Sequence, residues 1–134
     1  MNNINFATAV HILTMLAITK ENLSSAYIAG SININPVMVR KSLSLLAAQG
    51  LVETREGKGG GASLAKAANK IVLSDIYKAV NDVYLLGKLN NTNPECNTGK
   101  QINKHLVNLF GQADQALINK LSTITLADFC KQFN

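Results

Sequence analysis

The chain has 134 residues, 47% of them hydrophobic and 16% charged, with a net charge of +5; that is the make-up of one folded domain with a real core and excludes a disordered tail. Its longest apolar stretch, residues 10–18, is interrupted by His11 and Thr14 and is too short to span a bilayer, and no basic segment followed by an apolar run marks a secretory signal. Two cysteines, Cys96 and Cys130, are too few for a disulfide framework, so the expected location is the cytoplasm, with no membrane partner.

The first helix is predicted over residues 4–18, where Phe6, Val10, Leu13 and Ala17 recur at three- or four-residue spacing as an apolar stripe. Lys20-Glu21-Asn22 breaks it. Ser24 is placed to cap a second helix that buries Ile28 and Ala29 and ends near Gly30-Ser31. The third helix takes Asn35 as its cap and Pro36 as its first residue, and runs to about Gln49, where Gly50 supplies a left-handed stop. On it Val39, Leu43 and Leu46 point to a core, and Val37, Arg40, Lys41 and Ser44 point the other way. Residues 51–55 have strand character, and residues 62–64 are predicted to pair back across Gly57-Lys58-Gly59-Gly60-Gly61. A nucleotide-binding loop would need four residues between its glycine and a Gly-Lys-Ser/Thr, and that spacing is absent.

A fourth helix is expected over residues 74–83, with Ile76, Val80 and Val83 apolar. An asparagine-rich exposed loop containing Pro94 follows over residues 85–98. From Lys100 to Ser122, Ile102, Leu106, Leu109, Ala113, Leu117 and Leu121 keep a helical period for roughly 30 Å. Thr125-Leu126-Ala127-Asp128 opens a short last helix, with Asp standing where a capping box prefers Glu or Gln. The expected class is therefore mainly α with one small β-hairpin. Residues 1–83 are expected to form one region of helices and hairpin, 84–99 a loop, and 100–134 a long helix with a terminal helix, all within one structural domain.

The order of short helix, tight turn, cationic helix and glycine-rich basic hairpin is that of a winged helix-turn-helix. A helix of that size fits the DNA major groove, and a flexible cationic hairpin beside it reaches the backbone or minor groove. Charge supports the reading. Residues 1–70 carry seven lysines and arginines against three acids, whereas the rest carries six lysines against five acids. Duplex DNA is the expected partner. The predicted contacts are Ser24, then Asn35, Pro36, Val37, Arg40, Lys41 and Ser44 on the third helix, then Arg55, Lys58, Gly59 and Gly60 on the wing. Ile102, Leu106, Leu109, Leu117 and Leu121 of the long helix are the expected homodimer contacts, each worth roughly 1.5–3 kcal/mol when buried.

Residues 34–41, Gly50-Leu51-Val52 with the glycines of 57–61, and residues 73–76 and 125–129 together resemble the Rrf2 family of bacterial transcription regulators. The likeness covers almost the whole chain. The Asn35-Pro36-Val37 start and residues 94–99 look most like its YwnA-like branch, which lacks the iron–sulfur cysteine triad. The resemblance implies a homodimeric winged helix-turn-helix that recognises a dyad-symmetric operator, and repression by occupancy is the expected mode. The wing departs from the family's usual Arg-Gly-Pro-Gly-Gly-Gly-Tyr. Glu56 stands at the usual wing-arginine position, leaving Arg55 or Lys58 as the substitute cation. Of the three cysteines that cluster-binding members carry before the long helix, only Cys96 is present, with His105 nine residues later.

A cluster or structural zinc needs about four soft or imidazole ligands. Cys96, Cys130, His11 and His105 are the whole inventory and lack a compact spacing, so no metal and no cofactor are expected. No nucleophilic triad, carboxylate pair or nucleotide loop points to an enzyme. Two alternatives to the regulator remain in view. One is a metal-dependent sensor sharing ligands between two chains; the other is a winged-helix ligand-binding or scaffolding protein with little DNA affinity. The signal expected at Cys96, in the loop before the dimer helix, is an oxidant or electrophile; a small ligand in a dimer pocket or a signal the sequence does not name are the alternatives.

Overall fold

A computed structural model describes residues 4–134; residues 1–3, the start of the expected DNA-binding region, lie outside them. Helix α1 (Ile4–Thr19) leads into α2 (Ser25–Ile32), which starts where the Ser24 hydroxyl accepts the Tyr27 N–H at 3.1 Å. α2 runs slightly past the expected Gly30-Ser31 stop, because Asn33 adopts a left-handed conformation (φ 64°) and returns its N–H to the Ala29 carbonyl. Helix α3 (Pro36–Ala48) is capped by Asn35, whose Oδ1 accepts the Val37 N–H at 2.8 Å. It stops at Gly50, where φ is +74° and the next amide, on Leu51, turns back to the Leu46 carbonyl.

Strands β1 (Val52–Arg55) and β2 (Gly61–Leu64) form an antiparallel hairpin, with Val52 opposite Leu64 and Arg55 opposite Gly61. The hairpin is pinned at its base by Leu23, which exchanges two backbone hydrogen bonds with Ala62, at 3.0 and 2.8 Å. A single 3-10 turn (Ala68–Lys70) precedes α4 (Leu73–Val80). That helix ends three residues earlier than its apolar period predicts. Asn81 breaks it, because its side-chain amide donates to the Tyr77 hydroxyl (2.8 Å) and to the Val83 carbonyl (2.7 Å), drawing the backbone out of helical geometry. A linker over residues 81–98 leads to the long α5 (Gly99–Leu121), then α6 (Leu126–Cys130).

α1 lies at the centre of packing. Ala9, Ile12 and Leu13 are fully buried, Val10, Leu16, Thr8 and Thr14 nearly so. The predicted stripe of Phe6, Val10, Leu13 and Ala17 is thus too narrow, with Phe6 and Ala17 only half-buried. α2, α3, α4, α6 and β2 all contact this helix, so most of its circumference must be apolar. Val39, Leu43 and Leu46 of α3 and Ile76 and Val80 of α4 complete the core as expected. α6 closes back on it with Leu126 fully buried, the Leu126 N–H donating to Ile71 and the Leu73 N–H to Ile124. Cys130 packs against the same core, and burial pushes its thiol pKa up against the opposing effect of the Thr14 hydroxyl. Among the described residues no helix is long and apolar enough to cross a membrane.

Candidate nucleic-acid interface

The outward face of α3 follows from its inward one. Burying Val39, Leu43 and Leu46 leaves Val37, Arg40, Lys41 and Ser44 exposed. The Pro36 start and the Asn35 cap fix the helix N-terminus at the surface; Pro36 has no N–H, and the Val37 and Met38 amides already donate to the Asn35 Oδ1 and carbonyl. Between α3 and the hairpin lies a groove of about 880 Å³. Ser24, Arg40, Ser44, Arg55 and Gly60 all line it, so five of the predicted contact residues, drawn from three separate segments, share one concavity. Asn35 and Val37 sit at the exposed N-terminal end of α3, Pro36 is half-buried there, and Lys41 lies one residue beyond Arg40; none of these lines the groove. Lys58 and Gly59 occupy the hairpin tip, closed by a hydrogen bond from the Gly60 N–H to the Gly57 carbonyl at 3.0 Å.

The two substitute cations are therefore placed differently. Arg55 faces α3 across the groove, and Lys58 projects from the tip. Glu56 also lines the groove, an anion in a surface that is otherwise cationic or neutral. Sequence reasoning missed Ser25 and Thr54 as groove residues; the second serine of Ser24-Ser25 and the polar run Glu53-Thr54-Arg55 on β1 were the only signals. Among the described residues the single salt bridge joins Lys131 to Asp128. Arg40, Lys41, Arg55 and Lys58 are thus not neutralised by an intramolecular ion pair, which leaves their charge for a polyanion.

The wing glycines have a structural reason that the sequence did not reveal. Gly57 and Gly59 adopt φ of +84° and +79°. A side chain at Gly60 would overlap the Arg55 carbonyl, and one at Gly61 would meet the Leu23 carbonyl at 2.5 Å. The close approaches are within the hairpin itself and to the segment that pins it.

The expected dimer stripe on α5 divides in two. Ile102 and Leu109 are exposed, at 38% and 53%, and Leu106 is half-buried. Leu117 and Leu121 are half-buried against the chain's own α1 and α4. Phe110 is the one buried residue of α5 and stacks edge-on with Tyr84 of the linker at 5.4 Å. Cys96 is exposed just ahead of α5, its sulfur 3.4 Å from the Gly99 N–H. His11 is half-buried and joins α1 to α2 through Ser31 at 2.9 Å.

Three helices, a pinned β-hairpin and a cationic groove between α3 and that hairpin define a winged helix-turn-helix DNA-binding protein. The model of the Rrf2 family, described as an iron-dependent transcriptional regulator, matches residues 3–132. The chain belongs to the Rrf2 family of DNA-binding transcription regulators, which are not enzymes. It is 38% identical over 129 residues, 96% of each chain, to YwnA of Bacillus subtilis (strain 168), provisionally named an HTH-type transcriptional regulator. A crystal structure of a protein provisionally described as DNA-binding shares 36% identity at a TM-score of 0.75, covering 93% of this chain and 97% of that one. CymR (YrzC), the global cysteine regulator of B. subtilis, superimposes at a TM-score of 0.69 with 18% identity, over 100% of this chain and 98% of that one, and shares the fold.

The donor set does not fit the iron of the family description within one chain. Among the described residues no three His, Cys, Asp or Glu side chains converge closely enough to hold a metal ion.

Proposed function

We propose that the protein is a homodimeric repressor, working in the cytoplasm, that occupies a dyad-symmetric operator and so excludes polymerase. The observation that carries this reading is the groove in which Arg40 and Ser44 of α3 face Arg55 of the wing, with neither arginine in a salt bridge among the described residues. α3 lies in the major groove in this reading. Arg40 and Lys41 meet base edges or phosphates, and Arg55 takes the role that the family's wing arginine holds. Lys58 and the glycine tip add backbone contacts. The exposed apolar residues of α5 join two copies, so that both recognition helices address one face of the DNA. Fragments of genomic DNA retained by the purified protein should contain an inverted repeat, bound by two chains in sedimentation. Retained fragments without shared symmetry, or binding that is weak and insensitive to salt, would leave the scaffolding alternative standing.

Cys96 is the proposed redox input. It is exposed, and its sulfur accepts a hydrogen bond from the first residue of α5, so an oxidised or alkylated thiol there bears directly on the start of the dimer helix. Peroxide or a quinone should lower the operator affinity of the parent protein and leave a Cys96→Ser protein unaffected. Equal responses in both would remove Cys96 from the switch.

A further inference from the structure

A second concavity, of about 260 Å³, lies between the DNA-binding head and the long helix. Its apolar walls are Phe6 of α1, Val80 of α4, Leu85 of the linker, and Leu117 and Leu121 of α5. Its polar side chains are those of Tyr77 and Asn81, and among the described residues no charged side chain lines it. Phe6 and Tyr77 meet edge to face at 5.9 Å and make an aromatic corner, a setting that accepts a further ring in stacked or edge-on geometry.

The polar pair is half satisfied. The Asn81 amide spends its donors on the Tyr77 oxygen and the Val83 carbonyl. No other hydrogen bond of either side chain is made among the described residues, which leaves the Tyr77 O–H to donate and Asn81 Oδ1 to accept. Both residues also border the neighbouring open cavity beside Asp114; a ligand hydroxyl within reach of both would accept from Tyr77 and donate to Asn81. Asp114 stands nearby, holding the Leu85 N–H at 2.9 Å. Burial and then the Asp114 charge raise the Tyr77 pKa, so the polar side of the cleft also disfavours an anionic ligand.

We propose that this cleft binds a small neutral aromatic alcohol, a phenol by class, and that its occupancy alters DNA affinity. The second half rests on the regulator reading above. The ligand would touch α1 and α4 of the head and α5 at the same time, so it stabilises one spacing of the recognition helix relative to the dimer helix.

The test titrates the full-length protein with 2-naphthol, 2-methylnaphthalene and 2-naphthoate, followed by ligand fluorescence, and compares parent, Tyr77→Phe and Leu117→Phe. Saturable binding of 2-naphthol, one per chain, is expected, with 2-naphthoate the weakest of the three. Tyr77→Phe should weaken 2-naphthol about fivefold and leave 2-methylnaphthalene unchanged, since one hydrogen bond is lost and no apolar wall. Leu117→Phe should block all three. A parent protein that binds none of them, as when a second copy covers the cleft, would overturn the proposal. So would equal affinity for alcohol and carboxylate, or indifference to Tyr77→Phe. Saturating 2-naphthol must also shift affinity for the retained genomic fragment; binding without that shift ends the effector role. DNA affinity is measured first without any probe, which separates a failure of the regulator reading from a failure at the cleft.

Discussion

Arg40 is exposed on the second turn of α3 and walls the groove opposite Arg55. If it forks onto a guanine edge, Arg40→Ala should cost about 1–3 kcal/mol of operator binding by anisotropy titration. Arg40→Lys should recover little of it, because an ammonium cannot make the two parallel bonds. Lys58, at the tip, should behave otherwise: its alanine variant is expected to reduce the slope of log affinity against log salt by about one, with sequence preference intact. The glycines divide by environment in the same way. Gly60→Ala drives a methyl into the Arg55 carbonyl and should cost more than about 1 kcal/mol in thermal unfolding. Gly30, inside α2 with nothing within 4 Å of a new Cβ, should gain roughly 0.5–1 kcal/mol on the same change. The cations were legible in the sequence because Arg40 and Lys41 adjoin on one helix and Arg55 and Lys58 belong to one hairpin. The need for Gly60 and Gly61 was not, since it arises from the Arg55 and Leu23 carbonyls, which approach only once the hairpin is folded.

At the scale of elements, the short α6 depends most on its cap. Thr125 and Asp128 close a reciprocal box, the Asp128 N–H donating to Thr125 Oγ1 at 2.9 Å and the Thr125 N–H to Asp128 Oδ2 at 3.2 Å. Aspartate thus does what the longer Glu or Gln usually does. Thr125→Ala should cost about 1 kcal/mol in thermal or denaturant unfolding. The Thr125 backbone N–H, and then its hydroxyl, hold the Asp128 carboxyl below the usual carboxylate range. A pKa lowered by folding adds stability that is present above the usual carboxylate range and is lost as pH falls through the folded value. The amide shifts of Thr125 and Asp128 should therefore move together on acidification, and that shared step should vanish in Asp128→Ala. Helix starts were readable wherever a side chain makes the cap, as at Ser24 and Asn35. The end of α4 was not, because Asn81 acts through a tyrosine four residues back and a carbonyl two residues on. Phe110 fell outside the period assigned to α5, since the contact that buries it comes from Tyr84 in a segment without regular structure. The single-residue pairings of Leu23 with Ala62 and Val72 with Thr125 leave no periodic trace at all.

For the whole molecule, the question is what covers α5. Its 23 residues extend for about 35 Å, and its C-terminal half is held by Leu117 and Leu121 against the head. Towards its N-terminus, Ile102, Val107 and Leu109 are exposed. Apolar groups projecting from an anchored helix are what a two-fold partner can cover, and since each is already about half buried, covering it would contribute roughly 1 kcal/mol, about half of the full-burial value. The division of the stripe lets association be separated from folding. Ile102→Glu with Leu109→Glu should give a monomer in sedimentation whose thermal unfolding, extrapolated to low concentration, matches the parent, because neither side chain supports the chain's own core. Leu117→Glu should instead lower the stability of the fold, because it puts a carboxylate into the cleft beside Phe6 and Val80. Operator binding follows the same geometry. Two recognition helices on one DNA face require half-sites about one helical turn, or a multiple of it, apart. The double variant should lose affinity for the full inverted repeat and bind it no better than an isolated half-site. If it remains a dimer with parental affinity, Ile102 and Leu109 lie outside the interface, and the partner surface belongs to another face of the molecule.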